Sequence, residues 1–256
     1  MHRSLLTTSQ TQPPWSWLRA LGLLLVLAAP SASWAGSFQV NPIRIELSGA
    51  KRIVAERVTN TGTEPVVVQM SVMAWTQDNG KNVLTPTREI IVSPPIATIA
   101  PGQEQIVRVG LRRAPDPQRE LSYRLFVREV PPPPKPGFQG LVVALRIGLP
   151  IFVQPREGRA KPVLVWSARL SGPAAIRLSL ENRGTGHIQI SDLTLSEAGQ
   201  KEPVAQEGGL AYILAGQSRQ WDLALKKPLH DKNERLRLNA STDAGRIEAE
   251  IEVAGH

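Results

Sequence analysis

The chain has 256 residues, a formal net charge of +8 at pH 7, no cysteine and only 5% aromatic residues. Without cysteine there are no disulfides, thiolate metal sites or thiol nucleophiles, so burial of a core must hold the fold together. The basic residues are scattered and nowhere interleave with aromatics as in single-strand binders, which argues against a nucleic-acid partner.

Residues 1–35, MHRSLLTTSQTQPPWSWLRALGLLLVLAAPSASWA, carry Arg3 and Arg19, an apolar run from Ala20 to Ala29, and a small-x-small ending at Ser33-Trp34-Ala35. This is the three-part pattern of a cleavable secretory signal peptide. Its apolar run of roughly ten residues is too short for a bilayer span, which takes about 20. Cleavage after Ala35 is expected to leave 221 residues with a charge of about +6. That is enough for one large or two small domains. No later stretch is apolar enough for membrane insertion of the mature chain.

From residue 36 onward the hydrophobic period is almost everywhere two. FQVNPIRIEL (38–47), RIVAERVT (52–59), VVVQMSVMAW (66–75), QIVRVGL (105–111) and LSYRLFVREV (121–130) predict strands in the first half. VLVWSARL (163–170), AIRLSLEN (175–182), HIQISDLTL (187–195), RQWDLAL (219–225), RLRLNAS (235–241) and GRIEAEIEV (245–253) do so in the second. Turn signals separate them: Asn60-Thr61-Gly62, Asp78-Asn79-Gly80, Pro101-Gly102, Asn182-Arg183-Gly184 and Ala244-Gly245. Many short strands and no capped 3.6-residue stripe predict an all-β protein built of sandwiches.

Two internal echoes predict that the sandwich occurs twice. VTNTGTEPVVVQMSV (58–72) is similar to LENRGTGHIQISDLTL (180–195), and Ile99-Ala100-Pro101-Gly102-Gln103 is echoed by Leu214-Ala215-Gly216-Gln217. The stretch QPREGRAKPV (154–163), rich in proline, glycine and charge, reads as the linker. The expected division is an N-terminal Ig-like domain at 36–155 and a C-terminal one at 156–256.

One segment stands apart. In GLVVALRIGLPIFVQP (140–155), Leu141, Val143, Leu145, Ile147, Leu149, Ile151 and Val153 form an unbroken aliphatic face. Thirteen residues at strand rise extend about 43 Å, whereas strands average about 5–6 residues. Pro150 lacks an N–H and belongs at a sheet edge or bulge. A long aliphatic edge invites pairing with another chain. Its side chains either meet a partner or line the sandwich's own core, and Pro150 and the length favour the partner.

Catalytic patterns are lacking. His2 leaves with the signal peptide, His256 is the last residue, and His187 and His230 read as solvated turn histidines. No nucleophile elbow, His-Glu-x-x-His or phosphate loop occurs. The carboxylate pairs Asp116/Glu120 and Glu248/Glu250 fall in loops or on polar strand faces, where solvation is expected. No enzymatic activity, metal or cofactor is therefore expected.

The stretch RELSYRLFVREVPPPPKP (119–136) ends a strand with Arg128-Glu129-Val130-Pro131-Pro132 and leads into the odd strand. With REVPP, LVVALRIGLPIFVQP, FQVNPIRIEL, IATIAPGQEQIVRV and Thr242-Asp243-Ala244-Gly245 in this order, the chain resembles the PapD-like periplasmic pilus chaperones across nearly all of its mature length. The run Gly148 to Val153 is similar to the branch associated with spore-coat-U-type pilins. The resemblance implies two Ig-like β-sandwich domains joined at an angle, with a pilin-type subunit bound in the cleft and later handed to an outer-membrane usher.

It further implies that Leu141, Val143, Leu145 and Ile147 are the side chains inserted into the subunit's incomplete sandwich. Arg44 matches one of two cleft cations that hold the subunit's C-terminal carboxylate. The second position falls on Pro150, so Arg146 and Arg124 are the candidates to replace it. Glu120 and Asp243 match the acidic members of an interdomain salt bridge whose arginine position holds Gln154. Self-association of the free protein through its edge is a further expectation. Two other readings are a β-sandwich pilus subunit or adhesin, and a carbohydrate-binding or hydrolytic sandwich. The first calls for an N-terminal donor extension, but strand signals begin almost at residue 36. The second calls for clustered aromatics, and Trp75, Trp166 and Trp221 are scattered.

Overall fold

In a computed structural model of the chain, residues 38–133, 136–137, 139–200, 202–229 and 235–254 are described. The signal-type segment 1–35 and the histidines His2, His230 and His256 lie outside them. The described residues contain no helix and form seventeen strands. In the first half these are β1 (Phe38–Asn41), β2 (Ile45–Leu47), β3 (Ile53–Asn60), β4 (Val66–Asp78), β5 (Lys81–Pro86), β6 (Ile90–Ser93), β7 (Ile96–Ile99), β8 (Glu104–Leu111), β9 (Leu121–Glu129) and β10 (Arg146–Val153). In the second they are β11 (Leu164–Gly172), β12 (Ala175–Asn182), β13 (Ile188–Glu197), β14 (Pro203–Ile213), β15 (Ser218–Ala224), β16 (Arg235–Thr242) and β17 (Gly245–Ala254).

The first ten strands make two sheets, ordered β1-β3-β8-β6 and β2-β10-β9-β4-β5, with β7 also paired to β4. Between them lies one core that includes Val58, Val107 and Val109 from the first sheet and Leu125, Val127 and Ile151 from the second. The last seven strands form one hydrogen-bonded path, β14-β13-β16-β17-β11-β12-β15, that encloses a separate core including Ile176, Leu178, Ile190, Leu195 and Leu238. Period-two alternation produces both, since every second side chain on a strand faces the same way. The chain is an all-β protein of two Ig-like sandwiches.

The internal echo is one structural device used twice. Asn60 and Asn182 are both fully buried at strand ends. Asn60 exchanges backbone bonds with the Pro101-Gly102-Gln103 turn, Gly102 N to Asn60 O at 3.0 Å and Asn60 N to Gln103 O at 2.9 Å. Asn182 repeats this with Ala215-Gly216-Gln217, Gly216 N to Asn182 O at 2.9 Å and Asn182 N to Gln217 O at 2.8 Å. Each side-chain amide then clasps its own turn, accepting from Gly62 N at 2.8 Å in one case and from Gly184 N at 3.0 Å in the other.

Three expectations about strands are corrected. The stretch 38–47 is two strands, because the chain changes sheets at Asn41-Pro42, where proline has no N–H for the ladder. β1 pairs antiparallel with β3, and β2 pairs parallel with β10. The strand expected from 141 begins only at Arg146, and residues 141–145 join no sheet. Four strands were not predicted: β5, β6 and β7 are short and broken by Pro86, Pro94 and Pro95, and in β14 Gly208-Gly209 interrupts the alternation, where the register shifts.

Candidate functional site

The second sheet of the N-terminal sandwich turns Tyr123, Leu125, Val127, Leu149, Ile151 and Val153 into its core. Alternation sends their neighbours to the opposite face: Trp75 and Gln77 on β4, Arg124 and Phe126 on β9, and Arg146, Gly148, Pro150 and Phe152 on β10. Part of this face is covered by the C-terminal sandwich, where Trp75, Phe152 and Leu214 form a small buried cluster flanked by Leu84 and Tyr212. The buried Gln77 amide joins the sandwiches as a backbone would. Its Nε2 donates to Tyr212 O at 2.7 Å and its Oε1 accepts from Leu214 N at 3.0 Å.

Beside this cluster lies a charged junction built from the turn Asn182 to His187. The linker lies against the turn, with Arg183 N bonded to Val163 O at 2.7 Å and Thr185 N to Lys161 O at 2.9 Å. The approach is so close that a β-carbon on Gly184 would stand 2.2 Å from Lys161 O, which only glycine permits. From the N-terminal side Glu120 N donates to Thr185 O at 3.0 Å. His187 is thereby placed between two carboxylates from different sandwiches. Its Nδ1 is 2.6 Å from Glu120 Oε1 and its Nε2 is 3.5 Å from Asp243 Oδ2. The imidazole lies flat on Phe152, with centroids 3.4 Å apart and planes at 7°.

Asp243 Oδ2 also accepts from Arg44 Nη1 at 2.9 Å, and its Oδ1 accepts from Gln189 N at 2.9 Å. Arg44 Nη2 donates to Gln189 Oε1 at 2.8 Å. Gln154 Nε2 reaches Glu120 Oε2 at 3.3 Å. Burial by itself would raise the Asp243 carboxyl, but His187, the Gln189 amide and Arg44 bring it down to about 2. Burial works against the imidazolium too, yet Asp243 and Glu120 outweigh it and hold His187 above its ordinary value.

The structure places the four predicted donor residues on a gradient of cover. Leu149, Ile151 and Val153 are buried, Ile147 and Leu145 are partly buried against the same core, and Val143 and Leu141 are 79% and 87% exposed. One aliphatic face thus starts inside the sandwich and runs out of it. β10 pairs with β9 along its whole length, but β2 covers its other edge only at Ile151–Val153. Residues 146–150, Pro150 included, therefore form a sheet edge.

The three predicted cations differ in their engagements. Arg44 is committed to Asp243 and Gln189. Arg146 is exposed and covers the Phe126 ring at 4.0 Å. Arg124 lies over Trp75 at 4.2 Å, and its Nε is buried without a hydrogen-bond partner. Burial pulls the Arg124 guanidinium below its usual basicity, with Tyr212 pulling the other way. Among the described residues neither Arg124 nor Arg146 has an acidic partner in a salt bridge. A desolvated guanidinium stacked on indole and short of acceptors is suited to an incoming carboxylate.

Glu120 and Asp243 meet across the sandwiches through His187. The solvated readings of His187 and of Glu120 are corrected, since their side chains are 10% and 2% exposed. The linker and the second sandwich together cover the turn, which local sequence does not reveal. Gln77 was missed for the same reason. The three tryptophans offer no aromatic platform: Trp75 is buried between the sandwiches, and Trp166 and Trp221 stack at 6.2 Å against the C-terminal core.

Comparison with known proteins agrees with this architecture. Residues 37–158 match the family described as pili and flagellar-assembly chaperone, PapD N-terminal domain. The chain is similar to the chaperone protein FimB/FhaD of Bordetella pertussis, 26% identical over 70% of this chain and 73% of that protein. It is also similar to the chaperone protein PapD of Escherichia coli, 24% identical over 77% of this chain and 78% of that protein. Among solved structures, a chain of the CsuC-CsuE chaperone–tip subunit pre-assembly complex of Acinetobacter baumannii superposes with a TM-score of 0.61 at 23% identity, covering 86% of this chain and all of that one. By the family match, residues 37–158 belong to the PapD N-terminal domain family of pili and flagellar-assembly chaperones, and the similarity to chaperone proteins extends over most of the chain.

Proposed function

We propose that this protein is a periplasmic chaperone that stabilises pilin-type subunits by lending them a strand, then passes them to an outer-membrane usher. The observation that carries the reading is the aliphatic face of 141–153, which leaves its own core and ends in the exposed side chains of Val143 and Leu141 on an unpaired edge. A subunit lacking one strand gains backbone hydrogen bonds along that edge and fills its core gap with alternate side chains. Each aliphatic side chain so buried contributes about 1.5–3 kcal/mol gross, offset by the cost of association. Leu141 and Val143 enter the subunit most deeply, and Leu145 and Ile147 bridge the two cores.

Arg124 is the leading anchor for the subunit's C-terminal carboxylate, with Arg146 beside it toward the open end of the strand. Arg44 acts there only when it releases Asp243. The mechanism asks for binding and folding, not catalysis, and takes no cofactor. The domains divide at about residue 155, and residues 1–35 direct export.

The test is co-expression with pilin subunits and recovery of complexes from periplasm. Leu141→Asp with Val143→Asp should leave the chaperone folded, because both side chains are already exposed, yet abolish recovery of the subunit. Arg124→Ala should weaken recovery by about tenfold to a hundredfold, as expected for a lost bond to a charged group. Undiminished recovery by the double aspartate variant sinks the strand-lending reading.

A further inference from the structure

Where the family resemblance leads one to expect an arginine at position 154, this chain has Gln154, and the basic group between Glu120 and Asp243 is His187 of the C-terminal sandwich. We propose that His187 is a positioning residue for the subunit-binding edge: as an imidazolium it ties Glu120 to Asp243 across the two sandwiches, while its ring backs Phe152 of β10, so that the set of the sandwiches follows the protonation of this one side chain. This deepens the strand-lending reading and rests on it only for its consequence in subunit capture.

The geometry selects the protonated ring. At 2.6 Å a hydrogen lies between Nδ1 and Glu120 Oε1, and because that oxygen also accepts from His187 N at 3.1 Å, Nδ1 is placed as its donor. In a neutral imidazole with Nδ1 protonated, Nε2 carries a lone pair, and it would point at Asp243 Oδ2 only 3.5 Å away. A proton on each nitrogen removes that repulsion, and the buried Nε2, which has no hydrogen-bond partner, then faces Asp243 as an ion-pair partner at 3.5 Å. The charged and titratable groups around the ring are Glu120 from the loop before β9, Asp243 from the β16–β17 turn, Arg44 ahead of β2 and Tyr212 on β14. Arg44 saturates part of Asp243 but does not touch Glu120, so among the described residues only His187 links the two carboxylates.

A group whose basicity is raised by folding stabilises the assembled state below its unfolded value, about 6.5 for histidine. That contribution disappears as pH rises through the raised native value. On deprotonation Glu120 loses its charged partner, and a lone pair faces Asp243. What remains across the junction is Gln77, the Trp75–Phe152–Leu214 cluster, Arg44 with Asp243 and Gln189, and the bonds of Glu120 N to Thr185 O and of His187 N to Glu120 Oε1. The sandwiches stay connected but are less firmly set.

The absence of native cysteine makes a direct test available. Spin labels on Lys51→Cys and Ser167→Cys, both exposed and on different sandwiches, report the distance between them in the full mature chain. The expected result is a narrow distribution at about pH 6 that broadens or shifts by about pH 9. His187→Gln should be broad at both, and His187→Arg narrow at both. In step with this, capture of a pilin subunit by His187→Gln should fall several-fold at neutral pH and be rescued by His187→Arg. A wild-type distribution unchanged between the two pH values, or a His187→Gln distribution matching wild type at the lower one, overturns the proposal. The distance needs no subunit, so its failure leaves strand lending standing, and failed capture with an intact pH response strikes only the latter.

Discussion

Glu56 occupies a core-facing position of β3, is fully buried, and has no hydrogen-bond partner on either carboxylate oxygen. Burial pushes its carboxyl up to about 8, so the folded protein holds it as the neutral acid at pH 7. An unfolded glutamate ionises near about 4.3. Between these values the unfolded chain binds fewer protons than the native one, and stability falls as pH rises. The melting temperature of the wild type should therefore decline from pH about 5 to pH about 8 through this residue. Glu56→Gln should remove that part of the slope, whatever it does to absolute stability. Equal slopes in thermal melts of the two proteins would show that the native fold offers Glu56 a charge-stabilising partner.

Single residues are legible in the sequence where a pattern singles them out and not elsewhere. Leu141 and Val143 stood out because an aliphatic face outran any ordinary strand. Asp243 and Glu120 stood out through resemblance alone. His187 and Gln77 gave no local signal, because what makes each of them buried is a second sandwich whose position no neighbouring residue encodes. Arg124 is legible as a cation on the strand before the aliphatic segment, but its stacking on Trp75 depends on β4 and β9 lying side by side.

At the scale of elements, the turn from Asn182 to His187 supports linker, junction and core together. The Asn182 side chain donates to Gly186 O at 2.8 Å, and to Ile213 O and Leu214 O at 3.2 Å each. Its Oδ1 accepts from Gly184 N at 3.0 Å and Val163 N at 3.2 Å. Asn182→Ala strands several of these buried groups, each at a cost of about 1–3 kcal/mol. The urea midpoint should drop markedly, and capture of subunit should drop with it, because His187 hangs from the same turn. A midpoint within error of wild type would mean that water or the backbone takes over these bonds. The period-two pattern located most strands, but not where they stop. Proline at 42, 86, 94 and 95 cut or hid short strands, and the long aliphatic segment joins no sheet before Arg146.

For the whole molecule, two sandwiches follow from composition and alternation, and the Asn60 and Asn182 clasps show that the faint internal echo has a physical basis. What sequence did not disclose is that the sandwiches are joined by a buried aromatic cluster and a histidine-centred charge network. This junction leaves one end of the β10 face uncovered. The central claim is that the uncovered end, residues 141–147, becomes a strand of another protein. Hydrogen–deuterium exchange of the chaperone alone and in complex with a co-expressed pilin subunit tests it at the backbone. Strand addition predicts that amides within 141–144, which join no sheet, exchange rapidly in the free protein and become strongly protected in the complex. Unchanged exchange there, with protection appearing elsewhere on the molecule, would contradict it.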